Sequence, residues 1–179
     1  MHTPDDFYGR FIEPIEDRMI RSVWRITRDA QDAEDAMQTA LLVIWKRRNR
    51  VAGHAAPPAL ILKICANAAY SIARRHARDR RRTGPPDHGD EPVDLVRAPW
   101  LELARREMSD ELLAAIHRLS RRQAVAVTLR VFEELPYEQI AAAMNCAEVT
   151  ARKHVERARR QLQVVLAKHD PHRFSRSEP

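Results

Sequence analysis

Glycine is scarce, with four residues in 179. A phosphate-cradling loop needs clustered glycines between a strand and a helix, and no such cluster stands here. Cysteine is scarcer still. Cys65 and Cys146 lie far apart, without the Cys-x-x-Cys or Cys/His spacing of a zinc site. Both read as small buried thiols in a reducing cytosol. No apolar run approaches the ~20 residues of a membrane span, so no membrane insertion is expected. The opening MHTPDDFYGR has no apolar signal-peptide core, and a cytoplasmic location is expected. Sustained apolar/polar alternation is missing, which excludes much β-sheet. No nucleophile stands paired with a base and no metal-ligand cluster occurs, so neither catalysis nor a metal or other cofactor is expected.

What is present is alanine, leucine, arginine and glutamate, the composition of a helical protein. The formal net charge is +6. Its distribution says more than its size. Arg74 to Arg82 reads RRHARDRRR, Arg152 to Arg160 reads RKHVERARR, and the stretch from Asp87 to Asp94 between them is net acidic. Two basic segments around an acidic connector suggest two DNA-facing elements.

Periodicity predicts an all-α chain of two small helical domains joined by a flexible linker. A first helix runs from Asp5 to about Thr27, with Pro14 set to kink or break it. Asp29 is a fitting N-cap for a second helix to about Arg48, with Asp32 and Glu34 at its positive end. Its apolar face would hold Ala33, Met37, Ala40, Leu41, Ile44 and Trp45, and Trp45 reads as core. Arg50 to Pro58 reads as a loop, followed by a helix from about Ala59 to Arg80 with Ile61, Ile64, Cys65, Ala68, Ala69 and Ile72 inward. Thr83 to Pro99 is a proline-rich acidic linker. Helical periodicity resumes at Leu101 and ends near Leu119, and Ser120 with Gln123 makes a capping box. Ala124, Val127, Leu129, Val131 and Phe132 then form an apolar side. The domain limits are thus 1–82, 83–99 for the linker, 100–168, and a polar tail at 169–179.

The strongest motif spans Leu135 to Leu162: a short helix with Pro136 in its first turn, a tight turn at Asn145, then a longer basic helix. These are helix-turn-helix proportions. Ala142 and Ala143 allow close helix crossing, and Val149, Val155, Ala158, Leu162 and Val165 face inward. Glu148, Thr150, Arg152, Lys153, His154 and Arg157 then project outward, where arginine and lysine can reach guanine edges and phosphates. The plainer alternative is a solvated charged helix. The remaining histidines read as solvated.

The segment from Leu119 to Leu166 resembles region four of bacterial sigma factors, above all the extracytoplasmic-function group. That resemblance implies a contact to the promoter element near minus thirty-five. The group carries glycine where Asn145 stands and serine where Ala147 stands. Asp32-Ala33-Glu34-Asp35, running on into AMQTALLVIWKRR, resembles the region-two motif. It implies that Asp32, Glu34, Asp35 and Gln38 bind core RNA polymerase. KICANAAYSIARR resembles the part of region two that holds the opened minus-ten strand, which implies Lys63, Asn67, Ser71, Arg74 and Arg75 as DNA contacts. Here the group carries tryptophan where Leu60 stands and aspartate where Ser71 stands. The implied partners are core RNA polymerase, promoter DNA and an anti-sigma factor. The alternatives are a helix-turn-helix regulator that binds DNA without polymerase, and a non-DNA interaction protein that mimics a sigma factor.

Overall fold

The computed structural model describes residues 4–83 and 110–166. Within them all regular structure is helical. Helix α1 (Pro4–Phe7) passes into a π-helical turn (Tyr8–Ile12) and a 3-10 turn (Glu13–Ile15) before α2 (Glu16–Thr27). The expected first helix is therefore broken, and Pro14 sits in the 3-10 turn, where its missing N–H costs least. Arg28 closes α2 in a left-handed conformation.

Helix α3 (Ala30–Lys46) starts at Asp29, whose side chain accepts from the Asp32 amide at 2.8 Å. A short α4 (Arg48–Ala52) follows. The loop expected over 50–58 is thus mostly helical, because Val51 is fully buried and holds its segment to the core. Only 53–56 remain irregular before α5 (Pro57–Thr83), which begins on two prolines suited to a first turn.

The second cluster comprises α6 (Asp110–Arg118), α7 (Arg121–Val127), a π-helical extension (Thr128–Phe132), α8 (Tyr137–Met144) and α9 (Glu148–Leu166). Ser120 and Gln123 form the expected capping box at α7. Asn145 ends α8 with φ 53° and ψ 54°, turning the chain directly into α9. The linker, most of the helix foreseen from Leu101, the side chain of Val165 and the tail lie outside the described residues.

Helix α5 is the shared wall. Ile61, Leu62, Cys65, Ala66 and Ala69 are buried along it, and it packs on α2 and α3 as well as on the second cluster. Small residues along it let neighbouring helices approach closely, and the buried apolar residues of both clusters make one contiguous core. Tyr70 carries the junction: its ring is buried and its hydroxyl meets Thr128 Oγ1 at 2.7 Å. Burial pushes the Tyr70 phenol and the Cys65 thiol each up to about 12. Cys146, by contrast, is only half-buried.

Three outcomes follow from these features. Asn145→Ala should cost about 1–2 kcal/mol in urea unfolding, because alanine pays for the left-handed turn, while Asn145→Gly should cost nothing measurable. Cys65 and Tyr70 stay neutral when folded, but the unfolded chain releases their protons at ordinary values of about 8.5 and 10. Stability should therefore fall as pH rises from about 9 towards 11. A thiol reagent at neutral pH should label Cys146 and reach Cys65 only on unfolding.

Candidate nucleic-acid interface

Along α5, Lys63, Asn67, Ser71 and Arg75 recur every four residues and so share one stripe. The structure brings all four into one open groove of about 390 Å³ between α3 and α5. Thr39 and Val43 of α3 and Arg47 just past its end form its other side, and Arg121 of α7 reaches into it. Local bonds hold the lining in place. The Asn67 side-chain amide donates to Lys63 O at 2.9 Å, and Ser71 Oγ donates to Asn67 O at 2.9 Å. Lys63 is a weaker base than a free lysine, first because it is partly desolvated and then because Arg50, Arg47 and Arg121 surround it. A cation-lined groove with amide and hydroxyl groups at its floor suits a phosphate backbone with its bases turned inward.

Arg74 does not join the groove. Its guanidinium turns to the opposite flank of α5 and caps the Leu119 carbonyl at the end of the α6 segment. Thr39, Arg47 and Arg121 are the groove residues that sequence reasoning passed over. Thr39 sits on a helix, and Arg47 at its end, whose pattern suggested only capping and core, and Arg121 belongs to a distant segment.

On α9, Glu148, Arg152, Lys153 and Arg157 are exposed, while Thr150 and His154 are half-buried. Arg152 donates to Glu148 one turn earlier and lies over the Tyr137 ring, 4.3 Å from its centroid. Arg130 covers the same ring at 4.9 Å. These contacts fix an arginine at the mouth of the helix pair. Burial, then Arg122 and Arg157, lowers the His154 pKa below the usual imidazole value, which favours the neutral ring. Val149, expected inward, is 57% exposed beside Glu148 and Thr150 at the helix start. The left-handed turn at Asn145 sets the phase of α9, and Ala151 and Val155 take the inward positions instead. Val131 is likewise exposed, because the π-helical extension shifts its face.

Helix α3 departs from expectation in a second way. Glu34, Gln38, Leu41, Leu42 and Trp45 lie on its outward side, with Leu42 60% and Trp45 40% exposed. Trp45 is therefore not core: its edge meets Phe7, and Arg48 lies over it at 5.2 Å. Ala36, Ala40 and Ile44 fill the core positions. Asp35 is half-buried and Gln38 donates to Glu34 at 3.1 Å. Asp32 is buried, its carboxylate 2.5 Å from His76 Nδ1 of α5, so it ties two helices together. Nor are the other described histidines merely solvated. His54 Nε2 lies 3.1 Å from Ala142 O and His117 Nε2 lies 3.2 Å from Ile26 O, and both contacts join the two clusters.

A helix-turn-helix with an exposed basic second helix, beside a cation-lined groove on the other helical cluster, is the geometry of a helical nucleic-acid-binding protein. The comparisons with known proteins say which kind. Sigma-70 region 2 matches residues 11–83, and Sigma-70 region 4 matches residues 109–162. The RNA polymerase sigma-H factor of Pseudomonas aeruginosa is 29% identical over 162 residues, which are 83% of this chain and 80% of that one. The ECF RNA polymerase sigma factor SigE of Mycolicibacterium smegmatis is 29% identical over 86% of this chain, which spans 59% of SigE. Among solved structures, the sigma factor RpoE of Bartonella quintana, crystallised with the anti-sigma factor NepR, shares the fold. Its TM-score is 0.56 at 21% identity, covering 89% of this chain and 96% of RpoE. The chain belongs to the sigma-70 family, as a sigma factor of the extracytoplasmic-function type.

Proposed function

We propose that this chain directs core RNA polymerase to promoters and helps to open them, reading each promoter at two places. The observation that carries this reading is the pairing of a single-strand groove on one cluster with a basic recognition helix on the other. Lys63 and Arg75 would hold phosphates of the opened minus-ten strand, with Asn67 and Ser71 at its base edges. Glu148, Thr150, Arg152, Lys153, His154 and Arg157 would read the minus-thirty-five duplex. Arg152 is the best-placed residue for a bidentate guanine contact, and the exposed Val149 is suited to a thymine methyl. Arg74 serves the junction between clusters rather than DNA in this arrangement.

The outward side of α3 would dock on the polymerase. Glu34, Asp35 and Gln38 give it polar character, and Leu41, Leu42 and Trp45 give it the apolar patch that an isolated surface helix lacks. A helix-turn-helix regulator working alone would have no use for that patch. Asp32 contributes by fixing α3 to α5. We assign the chain no catalysis, and divide it at 1–82, 83–99, 100–168 and 169–179. No helix among the described residues is long and apolar enough to cross a membrane, and we place its work in the cytoplasm. An anti-sigma factor is a further partner in this reading, as NepR is for RpoE.

Transcription from genomic fragments with purified core polymerase tests the reading, and discrete start sites are the expected result. Arg152→Ala with Lys153→Ala should lower those transcripts by about 10-fold or more, the loss of one or two base contacts, without changing co-migration with polymerase. Leu42→Asp should do the reverse, weakening polymerase binding about 10-fold while duplex binding persists. Unchanged transcription in the first variant would sink the assignment of α9.

A further inference from the structure

Away from the groove on α5, a second open pocket of about 350 Å³ lies between α2 and residues 132–134. Its walls are almost wholly charged. Arg18, Arg21 and Arg25 form one side, Glu133 and Glu134 the other, and the Phe132 ring is its apolar part. Spacings of three and four residues place the arginines on one stripe of α2. Neighbouring like charges on a helix repel, so the stripe is unfavourable unless anions face it. The volume lies at the low end of small-molecule sites, which span roughly 300–1,000 Å³.

Glu133 answers only part of that charge. It is buried, and its carboxylate accepts from Arg18 Nη2 and Arg25 Nη1, each at 3.4 Å, while its carbonyl accepts from Arg18 Nη2 at 3.0 Å. Both carboxylate contacts are longer than the roughly 2.7–2.9 Å of a strong charge-assisted bond. Arg25 is held further by lying over the Phe132 ring at 4.9 Å. Two guanidinium groups are thus fixed before any ligand arrives, which lowers the entropic cost of binding one.

The third guanidinium is left over. Arg21 is half-buried in the pocket wall, and among the described residues it has no hydrogen-bond or ion-pair partner. Such a cation loses hydration without recovering it in a contact. Glu134 is its counterpart on the opposite wall. It is exposed, also unpaired among the described residues, and carried on a left-handed backbone with φ 54°. Strained backbone of this kind gathers at binding sites. A donor and an acceptor therefore line one pocket without meeting each other, and three cations against two carboxylates leave one positive charge over. Their complement is an anion that also carries a proton. A hydrogen-phosphate group offers oxygens to a guanidinium fork and an O–H to a carboxylate. Sulfate has the same shape but no proton, and would set an oxygen against Glu134.

We propose that this pocket binds a hydrogen-phosphate group, free or as a phosphomonoester, with Arg18 and Arg21 holding its oxygens and Glu134 accepting from its O–H. None of these residues belongs to the α5 groove or to the outer face of α9. The site is separate from the DNA contacts proposed above and does not rest on them.

Calorimetric titration of the full-length chain tests it, at about 0.15 M sodium chloride and about pH 6, near the second pKa of a phosphomonoester. The probes are inorganic phosphate, adenosine monophosphate and sulfate. Phosphate should fill one saturable site, and sulfate should bind about tenfold more weakly or not at all. Arg21→Ala should weaken phosphate binding by about tenfold or more, the loss of one charged hydrogen-bonding partner. That variant removes a side chain without a partner, so its melting temperature in the absence of ligand should not fall. Arg159→Ala, an exposed arginine of α9, should leave phosphate binding unchanged. Glu134→Gln should bring sulfate and phosphate to within about twofold of each other, because the repulsive carboxylate is gone.

Saturable binding of phosphate alone assigns the free ion, and binding of adenosine monophosphate as well assigns the ester; both support the site. No saturable phosphate binding overturns it. So does equal binding of sulfate by the wild-type chain, or phosphate binding that survives Arg21→Ala. Loss of binding through Lys63→Ala in place of Arg21→Ala would put the anion in the groove on α5 and overturn the site equally.

Discussion

Two helical clusters share one wall, and most of what the protein does depends on that wall being α5. Its buried stripe of small residues completes the core with α2 and α3. Its opposite flank carries Tyr70, whose hydroxyl reaches Thr128, and Arg74, which caps the α6 segment. Between those surfaces runs the stripe Lys63, Asn67, Ser71 and Arg75. A helix presents faces at fixed angles, so core packing, cluster docking and the cation-lined groove are set by one rigid element. None can shift without the others.

That economy explains why charge is arranged as it is. Cations along α2 and α5 would repel the arginine-rich second cluster if nothing intervened. Glu133 supplies a buried carboxylate within the contact, facing Arg18 and Arg25. A buried ion pair adds little net stability compared with an apolar pair, but removing one partner leaves a stranded charge. Its value lies in register: the clusters dock in the orientation that satisfies both arginines.

Much of this was legible in the sequence, for reasons that can be named. Helix positions followed from periodicity. Asp29, the Ser120–Gln123 box and the Asn145 turn followed from capping chemistry, which is local. Four of the five residues singled out on α5 fall in one groove because i, i+4 spacing is itself geometry. What sequence could not supply was phase and distance. Whether Val131 and Val149 point in or out depends on small rotations at the π-helical extension and at Asn145, and whether Trp45 does depends on which side of α3 the other helices cover. The pairing of Arg121 with Asn67 joins residues 54 positions apart, and no periodicity links them. The resemblance to a family supplied roles for the residues, which periodicity alone would have left as helix faces.

The covalent connection between the clusters gives their docking a particular economy. Residues 84–109, 26 in number, join the end of α5 to the start of α6. A tether of such length keeps each cluster at an effective concentration in the millimolar range about the other. Contacts too weak to hold two separate molecules together therefore suffice within one chain. Lengthening the tether weakens them only slowly, because closure entropy grows with the logarithm of length. A competitor arriving from solution has to outmatch that local crowding with a larger surface or several simultaneous grips. On the function proposed above, polymerase on α3 together with promoter DNA on α5 and α9 would supply them.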